Sequence, residues 1–296
     1  MKDHASGFAY GPLVGVLARR IGSPADFGAF TTEETKRALL ARVLDRFGQD
    51  GIVETGREVA AESAHPFVRV LLAQPTPSLV LTAWMQIEVL AHAHNRVRVL
   101  DLRDNSLRLL RVRLGERDGC PLIEEDLFIL GVLEGFFARL GLGKFTLSGP
   151  VVKEQGHVWH LGFEQVAPPL AAYAQPTDRI WCAEGEIERS VFVVAVNLIL
   201  SEEPVDLASV ARHLGLSSRS LQRRLGAAGT SFSNLLRAAR VTMAGANVVE
   251  EQQTALTDVA YRFGFADSAH MCRAFREVVG CSPSQLARVA RTLAGA

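Results

Sequence analysis

The sequence predicts an α+β N-terminal domain followed by an all-α domain built on two helix-turn-helix units. Three observations carry this reading: an internal repeat near the C-terminus, helix-period stretches interleaved with two strand pairs upstream, and a Pro- and Ala-rich run, VAPPLAAYAQPTD from Val166 to Asp178, between the two patterns. The expected boundaries are 1–165 for the α+β domain, 166–185 for a linker and 186–296 for the helical domain. With 296 residues and 48% hydrophobic content, the chain holds enough apolar surface for two modest cores.

Taken in chain order, Thr31 and Glu34 have the spacing of a capping box, which opens a helix through Phe47. Ser78 to His94 reads as another helix. RVRVLDL (Arg96–Leu102) and LRLLRVRL (Leu107–Leu114) alternate apolar with polar residues around Asp104-Asn105-Ser106, the pattern of a hairpin. A helix from about Leu122 to Leu140 follows. KFTLSG and HVWHLGF then form a second strand pair across Lys153 to Gly156. A helix from Glu186 to Leu200 leads into the repeat.

In the repeat, VARHLGLSSRSLQRRL from Val210 aligns with VAYRFGFADSAHMCRAF from Val259, with one extra residue after the second turn. The turn glycines, Gly215 and Gly264, lie 49 residues apart. Each copy reads as a short apolar-periodic helix, a Gly-apolar-small turn and a second helix opened by a capping residue. The first unit spans about 205–228 and the second about 255–280. A connecting helix at about 233–251 lies between them, and Gly280 and Pro283 mark a stop and a last start.

The repeat is also where charge gathers. The chain is neutral overall, yet from Glu202 onward it has 11 Arg and no Lys against 5 Glu and 3 Asp, a net +3. On a helical wheel at about 100° per residue, Leu221 and Leu225 share one side, Arg219 and Arg223 take the opposite side, and Gln222 and Arg224 occupy the flanks. The second copy places Met271 and Phe275 inward, Ala269, Arg273 and Arg276 outward, and Cys272 on a flank. An arginine fork matches O6 and N7 of guanine, a glutamine amide matches N6 and N7 of adenine, and a major groove admits one helix. The pattern therefore predicts duplex DNA as the partner of these faces, with phosphates also drawing the arginines. The wheel leaves open which of Gln222 and Arg224 reads a base and which touches phosphate. A solvated arginine-rich surface is the competing reading for either copy alone, and the tandem disfavours it.

These residues, LGLSSRSLQRRLGAAGTSF in the first unit and VAYRFGFADSAHMCRAFREVVGCSPSQLAR in the second, resemble the AraC/XylS family of bacterial transcription regulators. The second run matches the family signature at Gly264-Phe265, Arg273-Ala274-Phe275, Gly280, Pro283 and Arg288. Over about a third of the chain, the resemblance implies two helix-turn-helix units whose recognition helices enter successive major-groove segments on one DNA face. Carried over by position, base contacts fall on Arg219, Gln222 and Arg223, then on Ser268, Ala269, His270, Cys272 and Arg273, leaving Arg224 for phosphate. Arg276, outward on the wheel, completes the expected DNA-binding set. Met271 stands where the family usually has an aromatic, and Leu286 where it often has Tyr. Ala269 and Cys272 hydrogen-bond poorly, so the second unit is expected to anchor phosphate more than it reads bases.

The resemblance further implies an effector-binding or dimerisation domain ahead of the helical one, a small-molecule effector, a homodimer on promoter DNA, and RNA polymerase as a further candidate partner. The element order around IEEDLFILGVLEGFFARLGL resembles the vinyl-reductase-type ligand-binding fold and the related haem-nitric-oxide sensor fold. Trp84, Phe128, Phe136, Phe137 and Trp159 are the candidate lining of an effector pocket; ordinary core is the commoner use of aromatics at this spacing. His92 and His94, on the expected helix, face nearly opposite ways, as do His157 and His160 on a strand. Each could singly ligate haem iron, a hydrogen-bonded or surface histidine being the commoner case.

Catalytic and metal-ligating sets are not expected. Cys120, Cys182, Cys272 and Cys281 are scattered without a CxxC pair, which disfavours zinc and the clustered thiolate of AraC-type DNA-repair methyltransferases, the enzyme alternative. GxSxG, GxxxxGK[ST] and HExxH are absent from the sequence. A constitutive DNA binder with a purely dimerising N-terminal domain is the other alternative. Apolar runs such as Leu79–Ala91 and Phe192–Leu200 are too short to span a bilayer, and MKDHASGFAY lacks a signal-peptide core. A cytoplasmic location without a membrane partner is therefore expected.

Overall fold

A computed structural model describes residues 8–23, 29–62, 64–114, 120–153, 156–165, 185–251 and 253–294. The chain divides into two units, one of Met1–Ala61, Val70–Tyr173 and Thr292–Ala296, the other of Glu62–Arg69 and Ala174–Arg291. Apart from Gly185, the expected linker lies outside the described residues. Among those residues, no helix is long and apolar enough to cross a membrane.

The first unit begins with β1 (Phe8–Tyr10), α1 (Gly11–Arg20) and β2 (Phe30–Thr32), with β1 and β2 antiparallel. Such short strands carry no period to read, and their existence was not legible in the sequence. α2 (Glu33–Arg57) is capped one residue later than expected, with Thr32 Oγ1 accepting from the Thr35 amide at 3.1 Å. Phe47 is the last residue before a kink at Gly48, whose φ of 68° breaks the helical path. A 3₁₀ turn (Glu58–Ala61) follows, and α3 (Pro66–Leu72) starts within the second unit and ends in the first. α4 (Pro77–Ala91) is capped by Thr76. This helix ends before His92, which turns to extended backbone at φ −142° and ψ 139°. The Arg96 guanidinium holds that exit by donating to the carbonyls of His92, Ala93 and Asn95 at 2.8, 3.2 and 2.7 Å.

β3 (Asn95–Arg103) and β4 (Ser106–Arg113) form the expected hairpin, and β5 (Thr146–Lys153) and β6 (Gly156–Gly162) form the second pair, with α5 (Ile123–Arg139) between the pairs. The pairs fuse into one antiparallel sheet of order β3-β4-β6-β5. Alternation puts Leu107, Leu109 and Arg111 of β4 and His157, Trp159 and Leu161 of β6 in the interior, while His160 is exposed.

α2 and α5 approach closely through small residues. A Cβ on Gly131 would fall 2.1 Å from the Val53 carbonyl oxygen, and one on Gly56 2.3 Å from that of Phe128. Glycine is therefore required at this crossing.

The second unit contains α6 (Glu186–Leu200), α7 (Leu207–His213), α8 (Ser218–Ala227), α9 (Phe232–Glu250), α10 (Leu256–Arg262), α11 (Ser268–Val278) and α12 (Pro283–Ala294). Val191 and Leu198 of α6, Val210 of α7, Leu221 and Leu225 of α8 and Leu235 of α9 share one apolar cluster. α9 also packs against α10 and α11. It thereby connects the two helix-turn-helix units, α7–α8 and α10–α11.

Candidate nucleic-acid interface

Both turns depend on a left-handed residue after the first helix. Gly215 has φ 65° and Gly264 φ 76°, a region that costs other residues about 1–2 kcal/mol. Each second helix is then opened by a side-chain cap. Ser217 Oγ accepts from the Ser220 amide at 3.2 Å, and Asp267 Oδ1 accepts from the His270 amide at 2.6 Å. These four residues set where each recognition helix starts, and so which residues turn outward.

In α8 the inward stripe is complete: Leu221 and Leu225 are 0% and 1% exposed, whereas Arg219, Gln222, Arg223 and Arg224 are all exposed. In α11, Met271, Ala274 and Phe275 are buried, Ala269, Arg273 and Arg276 are exposed, and Ser268, His270 and Cys272 are half-buried. Met271 and Leu286, the two departures from the family pattern, are both fully buried, so their apolar character serves the core. His270 is partly engaged within its own turn. Its Nδ1 accepts from the Ala266 amide at 3.3 Å, and its ring meets Phe265 edge-on at 5.5 Å.

Among the described residues, Arg219, Arg223, Arg224, Arg273 and Arg276 have no carboxylate partner, in contrast to Arg237, which meets Glu277 at 2.9 Å, and Arg262, which meets Glu251 at 3.3 Å. The arginines expected to contact DNA are thus all without a carboxylate partner among the described residues. An uncompensated guanidinium on an exposed helix face favours phosphate at any register and guanine where a groove aligns the fork.

The residues expected to line an effector pocket lie in the first unit and do not form one group. Trp84, Phe128, Phe136, Phe137 and Trp159 are each 4% exposed or less. Phe137 stacks edge-on with Phe145 and Phe163 at 5.3 and 5.5 Å, as core. The Trp159 indole donates to Asp126 Oδ2 at 3.1 Å. Trp84 and Phe128 alone of the five border a cavity of about 30 Å³.

A buried ionic network, not anticipated from the sequence, occupies the same interior. Arg111, fully buried, donates to Glu88 at 2.9 Å and Asp126 at 3.0 Å, and Asp126 also bonds His157 Nδ1 at 2.7 Å. Beside them Glu125 meets Lys36 at 2.7 Å and accepts from Asn95 at 3.1 Å. Burial alone would raise the Glu125 carboxyl, but the charge and hydrogen bond of Lys36, helped by Arg37 and Asn95, hold it down at about 2. His92 and His94 do not face apart, because the helix has already ended: both Nδ1 atoms approach Glu33 Oε1, at 3.6 and 2.9 Å. His92, His94 and His157 thus each have a carboxylate within reach of Nδ1. One sequence signal marked the network: Arg111 sits on the inward register of β4 with Leu107 and Leu109, where a lone charge demands buried partners.

Comparison with known proteins bears on the second unit. Residues 210–288 match the family described as "Helix-turn-helix domain". The HTH-type transcriptional regulator RipA of Corynebacterium glutamicum is 29% identical over 195 residues, covering 58% of this chain and 57% of that protein. The transcriptional activator RhrA of Rhizobium meliloti is 29% identical over 92 residues, covering 31% of this chain and 29% of RhrA. The ornithine utilization regulator of Pseudomonas aeruginosa is 38% identical over 79 residues, covering 27% of this chain and 23% of that protein. The chain therefore spans between about a quarter and somewhat over half the length of these relatives. From the signature residues, the paired units and these matches together, the C-terminal region over residues 210–288 belongs to the helix-turn-helix domains of the AraC/XylS regulators.

Proposed function

We propose that this chain is a sequence-specific transcription regulator that grips double-stranded promoter DNA with α8 and α11, as a homodimer, under control of a small molecule bound by its first unit. The observation that carries the reading is the pairing of two exposed, uncompensated arginine faces on helices whose opposite faces are locked into the core. Arg219, Gln222 and Arg223 read bases and Arg224 holds phosphate. In α11, Arg273 and Arg276 mainly anchor phosphate, with Ser268, Ala269, His270 and Cys272 along the groove. The three named relatives, two regulators and an activator, support the same reading. Control follows if the effector changes the dimer's geometry or the freedom of the DNA-binding unit.

The test selects a duplex from a randomised pool with the wild-type protein and measures binding to it and to a scrambled duplex. Arg223→Ala is expected to weaken the selected duplex by about 10- to 100-fold while changing the scrambled one little, the size of one lost bidentate base contact. Arg273→Ala is expected to weaken both alike and to lower the salt slope by about 1. Equal loss of discrimination from both variants would refute this division of roles.

A further inference from the structure

The cavity of about 30 Å³ in the first unit has a mixed lining. Lys36, Glu88, Arg111 and Glu125 are among its polar residues, and Leu13, Leu40, Ile87 and Phe128 among its apolar ones. Two buried donors of residues bordering it, Arg111 Nη2 and Trp84 Nε1, have no hydrogen-bond partner among the described residues. Buried donors in folded proteins nearly always find an acceptor, and one left unmet marks a place where an occupant supplies it. These two residues are 0% and 4% exposed, so bulk water is not the ready acceptor.

Local charge decides what kind of acceptor fits. The two cations at the cavity are already answered, Lys36 by Glu125 and Arg111 by Glu88 and also Asp126 behind it. With Arg37 also on Glu125 at 3.4 Å, three cations face three carboxylates, so a further anion would meet no surplus positive charge. A neutral oxygen meets the unpartnered Arg111 Nη2 and Trp84 Nε1 donors without adding charge.

We propose that this cavity binds a small uncharged molecule, which presents a carbonyl or hydroxyl oxygen to Arg111 and Trp84 and an apolar body to α1, α4 and α5. Leu13 and Ile129, only half-buried at the cavity, form the wall that yields to a body larger than the present space. The proposal deepens the effector reading above and rests on it for its regulatory meaning, though not for binding itself.

The experiment uses the full chain labelled with ¹⁵N-tryptophan, with the Trp84 indole signal assigned by Trp84→Phe. Cyclopentanone, cyclopentane and cyclopentanecarboxylate serve as probes. Cyclopentanone is expected to move the Trp84 indole signal saturably and to bind at least tenfold tighter than either other probe. Trp84→Phe, which keeps an aromatic in the core, is expected to reduce the preference for ketone over hydrocarbon about tenfold, as judged by thermal shift. Ile129→Phe, narrowing the cavity, is expected to abolish binding of all three. An indole signal that stays still, a carboxylate that binds best, or a preference unchanged in Trp84→Phe would overturn the proposal. A natural metabolite that stabilises wild type and Ile129→Phe equally would also overturn this site while leaving the effector reading standing. Ketone binding as described, with no metabolite altering DNA affinity, would uphold the site and remove the effector reading.

Discussion

Arg111 shows how one side chain organises the first unit. It is fully buried, and it sits between Glu88 and Asp126, with His157 and Trp159 completing the shell of Asp126. Truncating such a residue leaves two carboxylates uncompensated, and removing one partner of a buried ion pair typically costs about 3–5 kcal/mol. Arg111→Met is accordingly expected to lose at least that much stability in urea denaturation; a loss under 1 kcal/mol would show that water already reaches the network. His65 makes a second residue-scale prediction. Burial pulls its pKa from 6.5 down to about 3, so the unfolded chain takes the proton first as the solution is acidified. The associated stability is full above about pH 6.5 and lost as pH falls toward 3, at about 1.4 kcal/mol per unit. Between pH 7 and pH 5, wild type is expected to lose about 2 kcal/mol more than His65→Gln. Equal losses would contradict a neutral, buried His65.

Elements were legible where their period was long and their ends were marked. α7, α8 and α11 pair apolar spacing with Asp206, Ser217 and Asp267 caps, and β3 and β4 alternate over most of their length, whereas α5 is buried on nearly every face and β6 is buried at four successive residues from Gly156 to Trp159. Three-residue strands such as β1 offered no period. The exit of α4 was missed because the feature that ends it, the Arg96 fork on three carbonyls, comes from a residue beyond the helix. The α2–α5 crossing was likewise hidden, since Gly56 and Gly131 look like helix weaknesses until the partner backbone is seen against them. Gly131→Ala must separate the helices by more than an ångström, and overpacking of this kind costs about 1–3 kcal/mol. Thermal melts should show a clear drop in Tm, whereas a Tm equal to or above wild type, as helix propensity alone would give, would mean that the crossing is loose.

For the whole molecule, the sequence placed function unevenly between the two units. The exposed polar set of α8 was readable because an amphipathic helix writes its two faces on a wheel, with Leu221 and Leu225 inward and Arg219, Gln222 and Arg223 outward. The same logic failed for an effector pocket, because Phe136 and Phe137 at helical spacing look alike whether they line a cavity or fill a core. Only packing told Trp84 and Phe128 from the rest. The two units thus divide the chemistry: one carries uncompensated cations on exposed helix faces, and the other pairs its charges internally around two unmet donors. The most direct test is the affinity of Arg219→Ala/Gln222→Ala/Arg223→Ala for the duplex selected by wild type, with its melting curve recorded alongside. Because all three side chains are exposed, the melt is expected to stay within about 0.5 kcal/mol of wild type, while affinity for the selected duplex falls to the level of scrambled DNA. A triple variant that melts normally and still binds the selected duplex with wild-type affinity would contradict the account.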